Sequence, residues 1–575
     1  MRTVLLIVFV GCMRLGARAQ DASTPGEVQP EPSTFHCLAV RWPVRGDANA
    51  NAAAAVQYRK VGDAEWRQGY PLFRPYPQHM SEENRVAGGW LFAGSIVDLT
   101  PDTEYEVKLS LKDPDGGDAE RTLKVRTLAE PVAPASLRVR QVVPGNGGGS
   151  GTEADPFKGL AAAHNAAQPG DLFLLHKGVY GKDTWNITKS GQPGKPIVWR
   201  GAGDGEAVID GGGKGRAISA NGAQHLWFED LTLQNADYLI VAHESGHLVV
   251  RRCRFKCNMI GFAAINGGYK QSQGTVITDC VFDGPCAWPR TKGIERDHGI
   301  HITGAGHVVA YNRFRGFADS IHGTSHGRLS ASDFHNNEIS ECSDDGLETD
   351  YADTNVRVFR NRFTNVWEAM SAQPSNGGPV YFFCNAVFNC DYSPFKLHND
   401  TAGVLLFHNT CVKQGFPFHV EPGGETVNDG VTRNNLFIGT RGPAMRSTGR
   451  MTRCDFDADG YGLVGGEASP FALWLGRTYK TPADAKASAQ LYAKHGAVLV
   501  DPKTCFATGI LPPDDIKVQQ PIEKNDLRLK PGSDAIDRGI PLPNFSDGFA
   551  GKAPDLGCHE LGSPLPHYGP RQGRR

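Results

Sequence analysis

Six short segments hold the residues best suited to chemistry: Gly299-Ile300-His301-Ile302-Thr303, Ser320-Ile321-His322-Gly323-Thr324, Gly346-Leu347-Glu348-Thr349-Asp350, Ala369-Met370-Ser371-Ala372-Gln373, Pro394-Phe395-Lys396-Leu397-His398 and Pro417-Phe418-His419-Val420-Glu421. The second residue is apolar in every segment. Side chains alternate across an extended strand, so this residue points inward and the third and fifth point out. The outward columns then read His301, His322, Glu348, Ser371, Lys396, His419 and Thr303, Thr324, Asp350, Gln373, His398, Glu421. A further column stands just before each strand: His298, Asp319, Asp345, Glu368, Ser393, Phe416. A merely solvated face would mix Lys, Glu, Ser and Thr, whereas this one gathers histidines and carboxylates around Lys396.

Two reactions suit such a face. In a β-elimination, Ca²⁺ held by Asp319, Asp344, Asp345 and Glu368 would neutralise a uronate and acidify its α-proton. Lys396 would then be the base, and His398 or His322 the acid. In a glycoside hydrolysis, Glu348 and Asp350 would stand about 6.7 Å apart on one strand, at the lower end of the inverting range of about 6.5 to 9.5 Å. Asp345 beside Glu368 would approach the retaining distance of about 5 Å. Adjacent carboxylates without a metal would also raise one pKa, as a general acid needs. Lys396 favours elimination. His301, Gln373, His419 and Glu421 are expected to line the substrate path. Coils about 4.8 Å apart make the set roughly 25 Å long, which suits a polymer. A non-catalytic carbohydrate-binding face is the alternative, and C5-epimerisation of a uronate would share the proton-abstraction step.

What must position these columns is a repeat. A turn residue followed two places on by an apolar one recurs at Asp230, Cys253, Cys280, Asn312, Asn337, Asn361, Asn385, Asn409 and Asn435, in steps of 23, 27, 32, 25, 24, 24, 24 and 26. A repeat of that length with short strands and no helix cannot bury its apolar side alone, so successive turns must stack. The expected fold is a parallel β-solenoid, and the Asn positions are read as a buried ladder at its corners. Residues 156–168 have helical spacing and would cap the first coil. Thr481-Pro482-Ala483-Asp484 would open a second helix, ending near Gly496.

The chain has 575 residues, too many for one ordinary compact domain. Lys+Arg 60 against Asp+Glu 62 gives a net charge of -2, which argues against affinity built on nucleic-acid phosphates. Residues 31–128 alternate as short β-strands and read as a sandwich. Trp42, Tyr58, Trp66 and the run Leu99-Thr100-Pro101-Asp102-Thr103-Glu104-Tyr105 resemble a fibronectin type III domain, with residues 68–89 as a long insertion. That resemblance implies a tyrosine corner at Tyr105, and modules of this kind are commonly spacers. Residues 129–141 form the linker, with a Pro-rich start at 130–134.

The unit from 142 to 565 is similar to secreted right-handed parallel β-helix proteins of the pectate-lyase-like class. The resemblance rests on Asp155-Pro156-Phe157, Gln168-Pro169-Gly170-Asp171, Gly178-Val179-Tyr180, Ile209-Asp210-Gly211 and Pro554-Asp555-Leu556-Gly557. It implies an all-β fold, a right-handed parallel β-helix preceded by the small sandwich, and a polysaccharide substrate. Related lyases of this fold use a lysine base with calcium; Lys396 matches them in type and face only. The chain is expected to work as a monomer.

Arg2 and Thr3 precede an apolar run ending at Val10, and Ala17-Arg18-Ala19 follows, the layout of a signal peptide over residues 1–19 of an exported protein. A lipoprotein anchor at Cys12 is the alternative. No segment is long and apolar enough for a membrane span. Cleavage would leave twelve of the 13 cysteines, with Cys253 and Cys280, and Cys384 and Cys411, spaced to stack one coil apart. His243-Glu244-Ser245-Gly246-His247 lacks the helix a zinc-protease motif requires, and Gly145 to Gly151 lacks the Lys of a phosphate loop. Arg45-Gly46-Asp47 is read as a polar turn. Asn186 and Asn399 open glycosylation sequons only in a eukaryotic source.

Overall fold

The computed structural model describes residues 20–181, 184–265, 272–291, 296–323, 328–420, 426–465, 470–488 and 494–572. The signal-peptide reading, Cys12, Thr324 and Glu421 lie outside them. From residue 138 onward the chain winds into a right-handed parallel β-solenoid of about 11 turns. One face is a 14-stranded parallel sheet; the other two share a continuous 20-stranded sheet.

The ladder explains why the coils stack in register. Asn312 receives nothing from chance contact: its backbone N–H and its Nδ2 donate to Asn337 Oδ1 at 3.0 and 3.1 Å, while Nδ2 also donates to the Ile277 carbonyl at 2.9 Å. The same pattern passes through Asn361, Asn385, Asn409 and Asn435, and ends on Asp459 Oδ1. Each asparagine is fully buried, so every corner amide is satisfied inside the protein. Above the ladder Cys253 N–H donates to Cys280 Sγ at 3.4 Å, so these cysteines continue the stack as thiols. The twelve described cysteines form no disulfide.

Inside the solenoid, Phe255, Phe282 and Phe314 stack at centroid distances of 4.2 and 4.7 Å. Ile300, Ile321, Leu347, Met370, Phe395 and Phe418 are all buried beside them, as the alternation requires. The small residue before four of these inward side chains has a packing cause at Gly346, where a Cβ would stand 2.7 Å from the Ala369 carbonyl and from the Phe363 ring. Gly346 therefore keeps Asp345 and Glu348 close to the core wall.

At the ends, a helix at Leu160–Ala166 covers the first coil, and Pro482–Ala487 begins with a Thr481–Asp484 capping box. Residues 489–493, through which that second helix was expected to run, lie outside the described set.

The N-terminal unit is a two-sheet β-sandwich whose core includes Trp42, Tyr58, Tyr105 and Leu109. Tyr105 Oη accepts from the Thr100 backbone N–H at 2.9 Å, the expected corner contact. The unit is not a free spacer. Arg357, buried with Asp333 in an ion pair, donates to Ser95 Oγ at 3.0 Å, and Arg360 grips Asp98 at 2.6 and 2.7 Å. Cys37 and Val97 join one apolar cluster with Phe359, Tyr381, Phe383 and Phe407 of the solenoid. Asn544 of the C-terminal tail bonds both Val97 and Tyr58, so the tail clamps the sandwich in place.

Candidate functional site

Strand pairing sets the columns side by side. His298 pairs with Asp319 and His301 with His322; Asp345 pairs with Glu368 and Glu348 with Ser371; Ser371 pairs with Lys396. Because the residues between them face the core, these polar groups converge on one patch.

Asp319 is its centre. His298 Nδ1 lies 3.1 Å and His322 Nδ1 3.3 Å from Asp319 Oδ2, and His322 also contacts Glu348. Burial opposes charge on Asp319, but the two imidazoles outweigh it and hold the carboxyl well below the usual carboxylate range. The other oxygen of Asp319 accepts the Asp345 backbone N–H at 3.0 Å. Lys396 Nζ donates to Asp345 Oδ2 at 2.7 Å and lies 3.8 Å from Glu368. Burial alone would pull the ammonium down; Asp345, Glu368 and Asp344 overcome it and hold the proton on above the ordinary lysine range.

The remaining carboxyls are tuned the opposite way. Burial pushes Glu348 and Glu368 far up, reinforced by the charges of Asp319 and Asp350 at Glu348 and of Asp345 at Glu368. Asp344 is raised to about 6 by burial, Asp345 and Asp319, although Arg290 donates to its Oδ1 at 2.5 Å. Asp350 is raised by burial and Asp345, while its Oδ1 accepts from Ser371 Oγ and the Gln373 N–H, each at 2.9 Å.

Six carboxyls, Asp319, Asp344, Asp345, Glu348, Asp350 and Glu368, thus share the permanent cations Lys396 and Arg290. Asp345 Oδ1 and Glu368 Oε1 are buried without a hydrogen-bond partner, while Glu348 Oε2 meets His322 Nδ1. Asp319, Asp344 and Asp345 place one oxygen each within 4.8 Å of one another. Hard oxygens, excess negative charge and orphaned acceptors fit a Ca²⁺ ion. Glu368, assigned to the metal from sequence, lies one coil on, against Asp345 and Lys396.

One expectation changes. The strand Glu338–Glu348 stops at Glu348, so Asp350 lies in a turn and the straight-strand separation of that pair does not apply. His419 is buried against Tyr392 and Phe416, and burial with Lys413, Arg446 and Arg441 pushes it down to about 3, which leaves it neutral. His301 is half-buried with its ring 4.5 Å from that of His322. Gln373 and His398 are half-buried just past their strands, beside the patch.

Alignment on the outward columns left out a neighbouring set. Arg290, brought in from a loop 54 residues before Asp344, lies over Trp367 at 4.3 Å, and Trp367 stacks on Tyr392 at 5.9 Å. Asp344, Trp367 and Tyr392 each stand one residue before the Asp345, Glu368 and Ser393 column, so the same alignment contained that signal. Arg290 had none.

No family model matches the chain, and no curated protein matches it. Among solved structures, it is similar to XylC in complex with xylose at 12% identity and a TM-score of 0.47, covering 74% of this chain and 98% of that one. It is similar to the PL6 family alginate lyase AlyGC at 12% identity and a TM-score of 0.38, covering 70% and 58%. A Family 28 exopolygalacturonase of Yersinia enterocolitica gives 12% identity and a TM-score of 0.25, covering 76% and 100%. These are weak likenesses, and the solenoid assignment stands on the strand pairing itself.

Proposed function

We propose that this protein is a polysaccharide lyase that cleaves a uronate-containing chain by β-elimination with bound Ca²⁺. The observation that carries this reading is the contact of Lys396 with Asp345 beside the converging oxygens of Asp319 and Asp344. A bound Ca²⁺ would neutralise the uronate carboxylate and make the adjacent C–H acidic. Asp319, Asp344 and Asp345 would hold it, with Glu348 and Glu368 as the nearest further carboxyls. Lys396, relieved of part of the negative charge around it and having given up its own proton to solvent, would as the neutral amine take the proton from the carbon next to the carboxylate. The β-carbon–oxygen bond then breaks, a carbon–carbon double bond forms, and His322 gives the departing oxygen its proton; His398 is the alternative donor. Asp319 would fix His322 in position, and Gln373 and His301 would border the sugar.

The second reading is an inverting or retaining glycoside hydrolase, favoured by one observation: Asp344 raised to about 6 beside Asp319 held low gives an acid and a base at neighbouring positions. Product analysis separates the two. Oligomers with an unsaturated end, absent with Lys396→Ala, support elimination; saturated reducing ends, lost with Asp344→Asn and retained with Lys396→Ala, reject it.

A further inference from the structure

The long insertion of the sandwich, residues 68–89, is held against the solenoid. Ser81 Oγ and Asn84 Nδ2 donate to Asp353 Oδ2 at 3.2 and 2.9 Å, and Arg453 lies 3.7 Å over the Tyr76 ring. A Cβ on Gly377 would stand 2.9 Å from the Met80 side chain and 3.3 Å from Pro75, so the two backbones approach closely there. The insertion thus rests on the turns that lead from the Lys396 face to the sheet beneath the sandwich. Between it and those turns lies a pocket of about 490 Å³, where Gln78 and His79 meet Asn376, Asn399, Asp400 and Thr426. Asn399 directly follows His398, and only three residues separate it from Lys396, at most roughly 11 Å of extended chain. The lining is mostly amide and hydroxyl; among the described residues on it there is no Lys or Arg, and its one carboxylate is Asp400. Arg453, 3.3 Å from His79 Nε2, is already gripped by Asp429 at 2.6 and 2.9 Å. Burial holds the His79 imidazole below its ordinary range, so it is neutral at pH 7. Gln78 and Asn399 are exposed, and among the described residues neither side-chain amide has a hydrogen-bond partner. An amide offers a donor and an acceptor together, as a sugar hydroxyl requires. A carboxylate or sulfate brought to Asp400 would instead meet like charge with no cation to offset it.

We propose that this pocket is a subsite for an uncharged sugar, in which Gln78, Asn399 and Asp400 bind hydroxyl groups of the residue next to the uronate held at Lys396. The sandwich insertion then forms one wall of the substrate groove. The proposal rests on the uronate-lyase reading of the neighbouring site and sharpens it: the substrate is a heteropolymer in which a neutral sugar adjoins the uronate, and a pure polyuronate is disfavoured.

The test is calorimetric titration of the full-length protein with four tetramers: galacturonate, mannuronate, galacturonate alternating with rhamnose, and glucuronate alternating with N-acetylglucosamine. Wild-type protein should bind at least one alternating tetramer roughly tenfold tighter than either polyuronate. Gln78→Ala and Asn399→Gly should each weaken that tetramer roughly threefold to tenfold and leave polyuronate binding unchanged. Both positions are exposed, and glycine accepts the left-handed φ of 55° at Asn399, so the fold is kept. Asp400→Asn keeps an acceptor for the Thr426 N–H, 2.9 Å from Asp400 Oδ1, removes the charge, and should raise polyuronate affinity. Polyuronates bound as tightly as the alternating tetramers, no binding of either alternating tetramer, or unchanged affinity in both Gln78→Ala and Asn399→Gly overturns the subsite. Gln78-dependent binding of an alternating tetramer without cleavage would leave the subsite standing and remove the lyase reading. Unsaturated product released from a polyuronate, at a rate unchanged in both variants, would do the reverse.

Discussion

At the residue scale, Asp345 is the hinge of the chemistry. It carries the Lys396 ion pair and lies against Glu348 and Glu368, whose carboxyls it helps to push up. Because Lys396 holds its proton above the ordinary range, the neutral amine fraction grows as pH rises, and a lysine-based elimination should gain kcat/KM toward alkaline pH. If Asp344 were instead the general acid, activity should fall as pH rises through about 6, where it loses its proton. The same residues make a stability prediction. Glu348, Glu368 and Asp350 have folded pKa values above their unfolded ones, so their contribution is present below the unfolded carboxyl pKa and is lost as pH rises from there through the raised folded pKa. Ca²⁺ should offset that loss: at a hundredfold excess over Kd it adds about 2.7 kcal/mol. The Tm gain from Ca²⁺, read by calorimetry, should be larger at pH 8 than at pH 5 and absent in Asp345→Asn. A gain equal at both pH values, or retained in the variant, would place the ion elsewhere.

At the scale of the element, the corner ladder does most to hold the groove straight. Asn385 gives its Nδ2 to Asn409 and the Val358 carbonyl while its Oδ1 takes two N–H groups of Asn361. Asn385→Ala strands these buried partners and should cost about 2 to 4 kcal/mol in denaturant unfolding, against under about 1 for Asp400→Ala on the exposed turn. Spacing alone made this ladder legible, because one buried amide per coil repeats at a nearly fixed interval. The alternation of apolar and polar positions likewise made the columns through His322, Glu348 and Lys396 legible. Strand ends were not, since the Ala352 N–H closes a turn on the Thr349 carbonyl at 3.0 Å, and that turn moves Asp350 off the straight path. Arg290 was invisible for a different reason: a loop contact to Asp344 carries no period.

At the scale of the molecule, the sandwich, solenoid and C-terminal tail act as one packed body. Arg357 and Asp333 are both fully buried beneath the sandwich, and removing one partner of such a pair costs about 3 to 5 kcal/mol. Arg357→Ala should therefore lower the Tm of the whole chain, and wild-type protein should melt in a single calorimetric transition; a separate sandwich transition would show that the interface is weaker than its burial indicates. This docking was hidden in the sequence because a face that covers another domain reads like any apolar strand face, as Tyr381, Phe383 and Phe407 do. The described residues contain no helix long and apolar enough to cross a membrane. The most direct test of the central claim is ultraviolet absorbance of unsaturated sugar ends, followed while the protein acts on uronate polysaccharides with Ca²⁺ or with a chelator. The account predicts absorbance that grows only with Ca²⁺ and disappears in Lys396→Ala. New reducing ends without that absorbance, unaffected by the chelator, would contradict it.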